Sequence, residues 1–262
     1  MANSSSGDSM LERCVRVLDA FDAENPALKV ADIADAARLP LSTAYRVVGD
    51  MVDVGLLDKN DHGRFEIGHR AWELVTRSNP VERLRFRAQP VLDGVHSAVQ
   101  QFVSLAVPQF KDYEVLFIDH RDRFGDARIL ANQAGRMTLF DNSSGVALLA
   151  HAPKEVRDAV LAGPLVSPTT GQVFDRAELR NQIAFVRKYG YVKIVGGMVG
   201  ENTAYAVPLV GTKQDAIAAL SVVGRNDEVD DRIILSVLAT AGRTLSQGDT
   251  PLVIPGMPDG GQ

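Results

Sequence analysis

Within five consecutive positions, Ser42, Thr43, Tyr45 and Arg46 bring together three hydroxyls and a guanidinium. Such groups hydrogen-bond to phosphate oxygens and to base edges, which is the chemistry of nucleic-acid contact. A second polar group, Asn142, Ser143 and Ser144, opens the apolar run "SSGVALLA". It reads as a helix start that holds an anion on its amides, or equally as an ordinary capped helix. Catalytic patterns are absent by comparison. His62, His69, His96, His120 and His151 never fall at a metal-ligand spacing such as His-Glu-x-x-His, so no metal is expected. Cys14 is the single cysteine, which excludes an internal disulfide and a cysteine zinc cage. "DNSSGVA" lacks the paired glycines of a nucleophile elbow, and "GGMVGENTA" lacks the Lys-Ser/Thr of a phosphate loop. No catalytic residue and no cofactor is expected.

The elements that must hold the first cluster follow from apolar spacing. Leu11, Cys14, Val15, Leu18 and Phe21 recur at helical intervals, and Asn25 and Pro26 end that helix. A second short helix fits "VADIADAARL", with Ile33, Ala34 and Ala37 inward, and Pro40 separates it from a third. In the third, Ala44, Val47, Val48, Met51 and Val52 form one stripe and the polar cluster falls on the opposite side. Gly55 closes it. "LLD" and "RFEIG" then flank "KNDHG", a turn sequence that predicts a β-hairpin. Three helices and a hairpin make a winged helix-turn-helix, whose second motif helix enters the major groove while the wing follows the backbone. A plain solvated helix face is the competing reading of Ser42, Thr43, Tyr45 and Arg46.

Charge weighs on that choice. The chain has 262 residues, 45% of them hydrophobic, with a net charge of -5, so it can bury a core in one or two domains and does not coat nucleic acid non-specifically. Between residues 10 and 79, nine Lys and Arg face twelve Asp and Glu. The acids Asp19, Asp22, Asp32 and Asp35 belong to the first two helices, however, and the third carries Arg46 with no acid before Asp50. Lys59 and Arg64 flank the wing turn, and Arg83, Arg85 and Arg87 follow the domain. The start "MANSSSGDSM" lacks a signal peptide's basic and apolar regions, and no run approaches the roughly 18 apolar residues that span a bilayer. A cytoplasmic protein without membrane contact is expected.

Further along, "IGHRAWELVTRSNPVERLRFRAQPVLDGVHSAVQQF" predicts two helices broken near Pro80. From Phe102 the pattern changes to short β-rich runs, "FVSLAV", "EVLFI", "ARIL", "YVKIV", "AYAVPLV" and "AIAALSVVG". Helical segments near 144–151, 154–161, 176–188 and 230–245 interleave them. Adjacent runs with short turns predict an antiparallel or mixed sheet covered by helices, an α+β domain whose cavity would take a small ligand.

Taken together, "MLERCVRVLDAF", "VADIADAARLPLSTAYRVVGDMVDVGLLDKNDHGRFEIGHRAWEL", "SSGVALLA", "VRKYGYV" and "IAALSVVG" resemble the isocitrate lyase regulator (IclR) family of bacterial transcription factors. The resemblance implies an α+β protein with an N-terminal winged helix-turn-helix over 10–67 and a helical linker with leading helix over 68–101. A GAF-like α+β effector-binding domain would follow over 102–248, with a disordered arm at 1–9 and a flexible tail at 249–262. It implies contact of Ser42, Thr43, Tyr45 and Arg46 with bases or phosphates, and of Lys59 and Arg64 with the DNA backbone. The implied partners are a double-stranded operator, a small-molecule effector and a second copy of the chain, in a homodimer or homotetramer.

For the effector, the resemblance points to Asn142, Ser143 and Ser144, and further to Phe117, Ile194, Ala204 and Ser221. Here the chain departs from the family. An acidic residue commonly follows the "GY" strand and a cysteine commonly precedes the "AAP" strand, where this chain has Lys193, Ile194 and Ala204. Apolar walls favour an aromatic or otherwise hydrophobic acid over a two- or three-carbon one. Lys193 would pair with an effector carboxylate if it faced inward, but alternation lets only one of Lys193 and Ile194 do so. Two other classes stay open: a hydrolase or transferase with unrecognised catalytic residues, and a ligand-storage or scaffolding protein with a degenerate winged helix.

Overall fold

Ser9 opens the first helix, because its hydroxyl accepts from the Glu12 amide while the Glu12 carboxylate accepts from the Ser9 amide. In this computed structural model the described residues are 8–22, 24–77, 79–122, 129–130, 134–211 and 216–246. The expected arm and tail lie outside them, apart from Asp8 and Ser9. Two compact units meet in sequence between Glu82 and Arg83.

The first unit runs α1 (Met10–Leu18), α2 (Val30–Ala36), α3 (Leu41–Asp53), β1 (Leu57–Lys59), β2 (Phe65–Ile67) and α4 (His69–Arg77). Val17, Ile33, Ala44, Val47, Val48, Met51 and Leu57 form its core. The stripe expected on α1 is rotated: Cys14, Leu18 and Phe21 pack against the core beside Val17, whereas Leu11 and Val15 are exposed. Cys14, Val17, Leu18 and Phe21 follow the i, i+3, i+4, i+7 line of one face, and Val15 lies about 100° away from it. Arg38, in the turn between α2 and α3, holds the left-handed conformation at φ 52°, and Pro40 caps α3, where a missing N–H costs nothing. The hairpin pairs Leu57 with Ile67 and Lys59 with Phe65, and Leu28 adds one more rung against Phe65. Asn60 shapes the wing turn, its side-chain oxygen accepting from the amides of His62 and Arg64. α4 buries none of its residues.

The second unit holds the six-stranded sheet in the order β5-β4-β3-β8-β7-β6, antiparallel throughout. The strands are β3 (Phe102–Gln109), β4 (Glu114–Arg121), β5 (Arg136–Thr138), β6 (Val192–Val195), β7 (Asn202–Val210) and β8 (Ala216–Arg225). α5 (Pro80–Val99) precedes them; α6 (Ser143–Ala150), α7 (Lys154–Ala162) and α8 (Arg176–Tyr189) lie between β5 and β6, and α9 (Asp231–Leu245) follows β8. Of the expected "ARIL" strand, Ile129 and Leu130 are not extended into the sheet and the other two residues lie outside the described ones. Every residue of α6 is buried, because it packs on β7 and β8 and against α8 at once. Among the described residues no helix is long and apolar enough to cross a membrane.

Candidate functional site

α3 presents the first candidate surface. Its inward stripe is Ala44, Val47, Val48 and Met51, while Ser42, Tyr45 and Arg46 are exposed and Thr43 is half-buried. Tyr45 keeps 60% of its surface exposed, which is much for an aromatic ring. The three cations are held in place. The Arg46 guanidinium stands 3.4 Å from Asp50 one turn on, and Arg64 donates to the Ala27 carbonyl at 3.1 Å. Lys59 Nζ lies 5.7 Å from the Phe65 ring centre. Ser42, Tyr45 and Arg46 share the exposed side of one helix, and Lys59 and Arg64 sit on either side of the wing turn.

The second candidate is a cavity between the sheet and the start of α6, with about 620 Å³ of free space including its mouth. Its lining contains all seven residues singled out in the sequence: Phe117, Asn142, Ser143, Ser144, Ile194, Ala204 and Ser221. Strand register explains the floor. Ile194, Ala204, Val223 and Phe102 face one another in a row across four strands, and the next row on the same face carries Ser221 and Ser104. Met137, Met198 and Val199 complete mostly apolar walls. Sequence reasoning missed Ser104, Met137, Asp141 and the stretch 197–199, none of which carries a local signal.

At the helix start, Asn142 is spent on structure. Its carbonyl accepts from the Gly145 amide at 2.8 Å, and its amide group donates to the Thr138 carbonyl and to Asp141. Buried Asp141 also accepts from the Ser167 hydroxyl at 2.8 Å. The Val146 amide goes to the Asn142 carbonyl. That leaves the amides of Ser143 and Ser144, the first two of the helix, with no intrahelical acceptor, at the positive end of the helix dipole. Gly145 makes this turn possible, since a Cβ there would stand 2.8 Å from the Thr138 carbonyl oxygen.

The opposite sheet face does different work. Lys193 points away from the cavity and pairs with Asp231 on α9 at 2.5 Å, so it is no effector anchor. Tyr205, its cross-strand neighbour, donates to the other Asp231 oxygen, and burial together with that carboxylate drives the Tyr205 hydroxyl far above the usual range. Burial pushes the Asp231 carboxyl up, but Lys193 and Tyr205 outweigh it and hold the group below its ordinary 3.8. On β4, buried Asp119 accepts from Arg85 of α5 at 3.3 Å and from Arg121 at 2.9 Å, and Arg121 also reaches Asp93 of α5 at 2.5 Å.

A winged helix in one unit and an open, mostly apolar cavity in an α+β unit are the parts of a DNA-binding regulator with a sensory domain. Residues 10–61 match the IclR helix-turn-helix domain and residues 80–247 match the bacterial transcriptional regulator IclR C-terminal domain. The chain belongs to the IclR family of bacterial transcriptional regulators. A crystal structure of an IclR homolog from Microbacterium hydrocarbonoxydans, complexed with 4-hydroxybenzoate, is 38% identical with a TM-score of 0.81 over 91% of this chain and 98% of that one. An IclR homolog from Microbacterium sp. strain HM58-2 is 36% identical with a TM-score of 0.55, covering 91% and 97% of the two chains. The transcriptional repressor IclR of Escherichia coli is 24% identical over 85% of this chain and 82% of its own length. The family is one of transcriptional regulators and its Escherichia coli member is a repressor, which sets aside the hydrolase or transferase reading.

Proposed function

We propose that the chain binds a pseudo-palindromic operator as a homodimer or homotetramer in the cytoplasm and releases or grips it in response to an aromatic carboxylic acid. Ser42, Thr43, Tyr45 and Arg46 contact base edges and phosphates, and Lys59 and Arg64 contact the backbone beside the wing. The ring of the effector lies against Phe117, Ile194 and Ala204, and its carboxylate takes the amides and hydroxyls of Ser143 and Ser144. The exposed apolar side chains Leu11, Val15, Trp72 and Val75 support self-association of the N-terminal unit. Residues 10–67 carry DNA binding, 102–248 carry sensing, and the signal crosses 68–101. Asp119 supports a route for it, because it ties Arg85 of α5 to the strand that also bears Phe117.

The observation that carries the aromatic class is the apolar row Ile194, Ala204, Val223 and Phe102 beside the start of α6. A small acid such as glyoxylate would leave those walls in contact with water, whereas a benzene ring covers them. That the Microbacterium hydrocarbonoxydans relative was crystallised with 4-hydroxybenzoate supports the same class. Calorimetry on the full chain with benzoate, 4-hydroxybenzoate, glyoxylate and pyruvate tests it, alongside gel shift on DNA upstream of its own gene. Aromatic acids should bind and alter the shift. Binding of glyoxylate or pyruvate alone would sink the aromatic reading, and retention indifferent to DNA sequence would sink the operator reading.

A further inference from the structure

The cavity floor holds one polar feature that carboxylate anchoring leaves unused. Ser104 on β3 and Ser221 on β8 are direct cross-strand partners with hydroxyl oxygens 2.7 Å apart, and the two residues are 1% and 2% exposed. Both line the cavity from the sheet, whereas the amides of Ser143 and Ser144 enter from the helix that covers it. Two hydroxyls together hold two hydrogens and four lone pairs. Their mutual bond consumes one hydrogen and one lone pair. One O–H and three lone pairs therefore remain on a floor whose neighbouring row is Ile194, Ala204, Val223 and Phe102. Burying such a group without a partner is unfavourable, and two small apolar residues would fill the same positions without that penalty.

We infer that the Ser104–Ser221 pair reads a ring hydroxyl, so that the effector is a hydroxylated aromatic acid with its carboxylate at α6 and its hydroxyl on the sheet. This rests on the aromatic-acid reading above. A phenolic hydroxyl suits the pair because it accepts the spare O–H and returns its own hydrogen to a free lone pair, satisfying both sides. A methyl or chloro substituent leaves the spare O–H unmet. A second carboxylate would meet no cation among the described residues on that floor, since Lys193 faces Asp231 on the other side of the sheet.

Calorimetry on the full chain with benzoate, 4-methylbenzoate, 3-hydroxybenzoate and 4-hydroxybenzoate tests this, on the wild type and on Ser104→Ala and Ser221→Ala. At least one hydroxybenzoate should bind about tenfold or more tightly than benzoate and 4-methylbenzoate. Ser104→Ala should bring that preference close to one and leave benzoate affinity within about threefold. Equal binding of benzoate and the hydroxybenzoates by the wild type overturns the pair's role and leaves the aromatic reading standing. So does a preference unchanged in both variants. If no aromatic acid binds, both readings fall. Should a variant lose its folded circular dichroism signal, the wild-type ligand series decides alone.

Discussion

Gly145→Ala puts a methyl group where backbone already stands. The new Cβ would lie 2.8 Å from the Thr138 carbonyl oxygen and 2.9 Å from both Leu139 C and Cα. Carbon contacts settle at about 3.5–4.0 Å, so the turn must open by roughly half an ångström or more, and neither side of the contact is a flexible side chain. Overpacking of this kind costs about 1–3 kcal/mol of stability. The same displacement loosens the 2.8 Å bond from the Gly145 amide to Asn142 and carries the Ser143 and Ser144 amides with it. A hydrogen bond to a charged group contributes about 1.5–3 kcal/mol, so losing one lowers effector affinity about tenfold to hundredfold. Calorimetry with 4-hydroxybenzoate and a thermal melt on the same preparation measure both effects, with ligand-free operator binding as the control. A lowered melting temperature with wild-type affinity would show that the carboxylate sits elsewhere. A wild-type melting temperature would refute the steric argument itself.

Arg46→Ala should weaken operator binding by about 1–3 kcal/mol in gel shift and relax preference at one base pair; an equal loss on unrelated DNA would reduce Arg46 to a phosphate contact. Asp119→Asn should leave the dissociation constant for aromatic acids intact while shrinking the change in operator affinity that the ligand produces, because the link from β4 to Arg85 is weakened. A full ligand response in that variant would show that the signal takes another route. Asp231 is held below 3.8 by Lys193 and Tyr205, so its contribution to stability is complete above that value and is lost as the pH falls through the lowered one. Lys193→Met should therefore melt lower than the wild type at neutral pH, and the gap should close in acid; a gap constant with pH would mean that the pair does not carry the effect.

What could be read without coordinates follows the strength of each periodic signal. α3 and the wing were legible because Ala44, Val47, Val48 and Met51 are apolar on one side and the opposite side is polar, and because Asn60 and Gly63 allow little but a turn. α1 was legible as a helix but not in its rotation, since Leu11 and Val15 are as apolar as Cys14 and Leu18, and period alone cannot choose between sectors 100° apart. The cavity residues on β6 and β7 came from the family resemblance; alternation required only that Ile194 and Lys193 take opposite faces, and the pairing of Lys193 with Asp231 decides which one lines the cavity. Ser104 was missed because β3 is buried on both faces, and a strand covered on both sides loses the alternation that marks direction.

The bulge in β4 is the feature with no local signature at all. Leu105 pairs with Asp119 and Ala106 pairs with Phe117, which leaves Ile118 as an extra residue on that strand. Ile118 is β-branched like any ordinary strand residue, so only the register against β3 shows it. Its effect on direction is large. Without the insertion, Phe117 and Asp119 would share a face, as residues two apart do. Either Phe117 would leave the cavity for the α5 side, or Asp119 would enter the cavity beside the Phe102 and Val223 floor, away from Arg85 and Arg121. The second outcome buries an unpaired carboxylate against the apolar Phe102 and Val223 floor, which is unfavourable. One inserted residue lets eight residues of strand serve as a cavity wall at Phe117 and as the charged anchor of α5 at Asp119. On the proposed reading, a ring lying against the first would bear on the strand that holds the second.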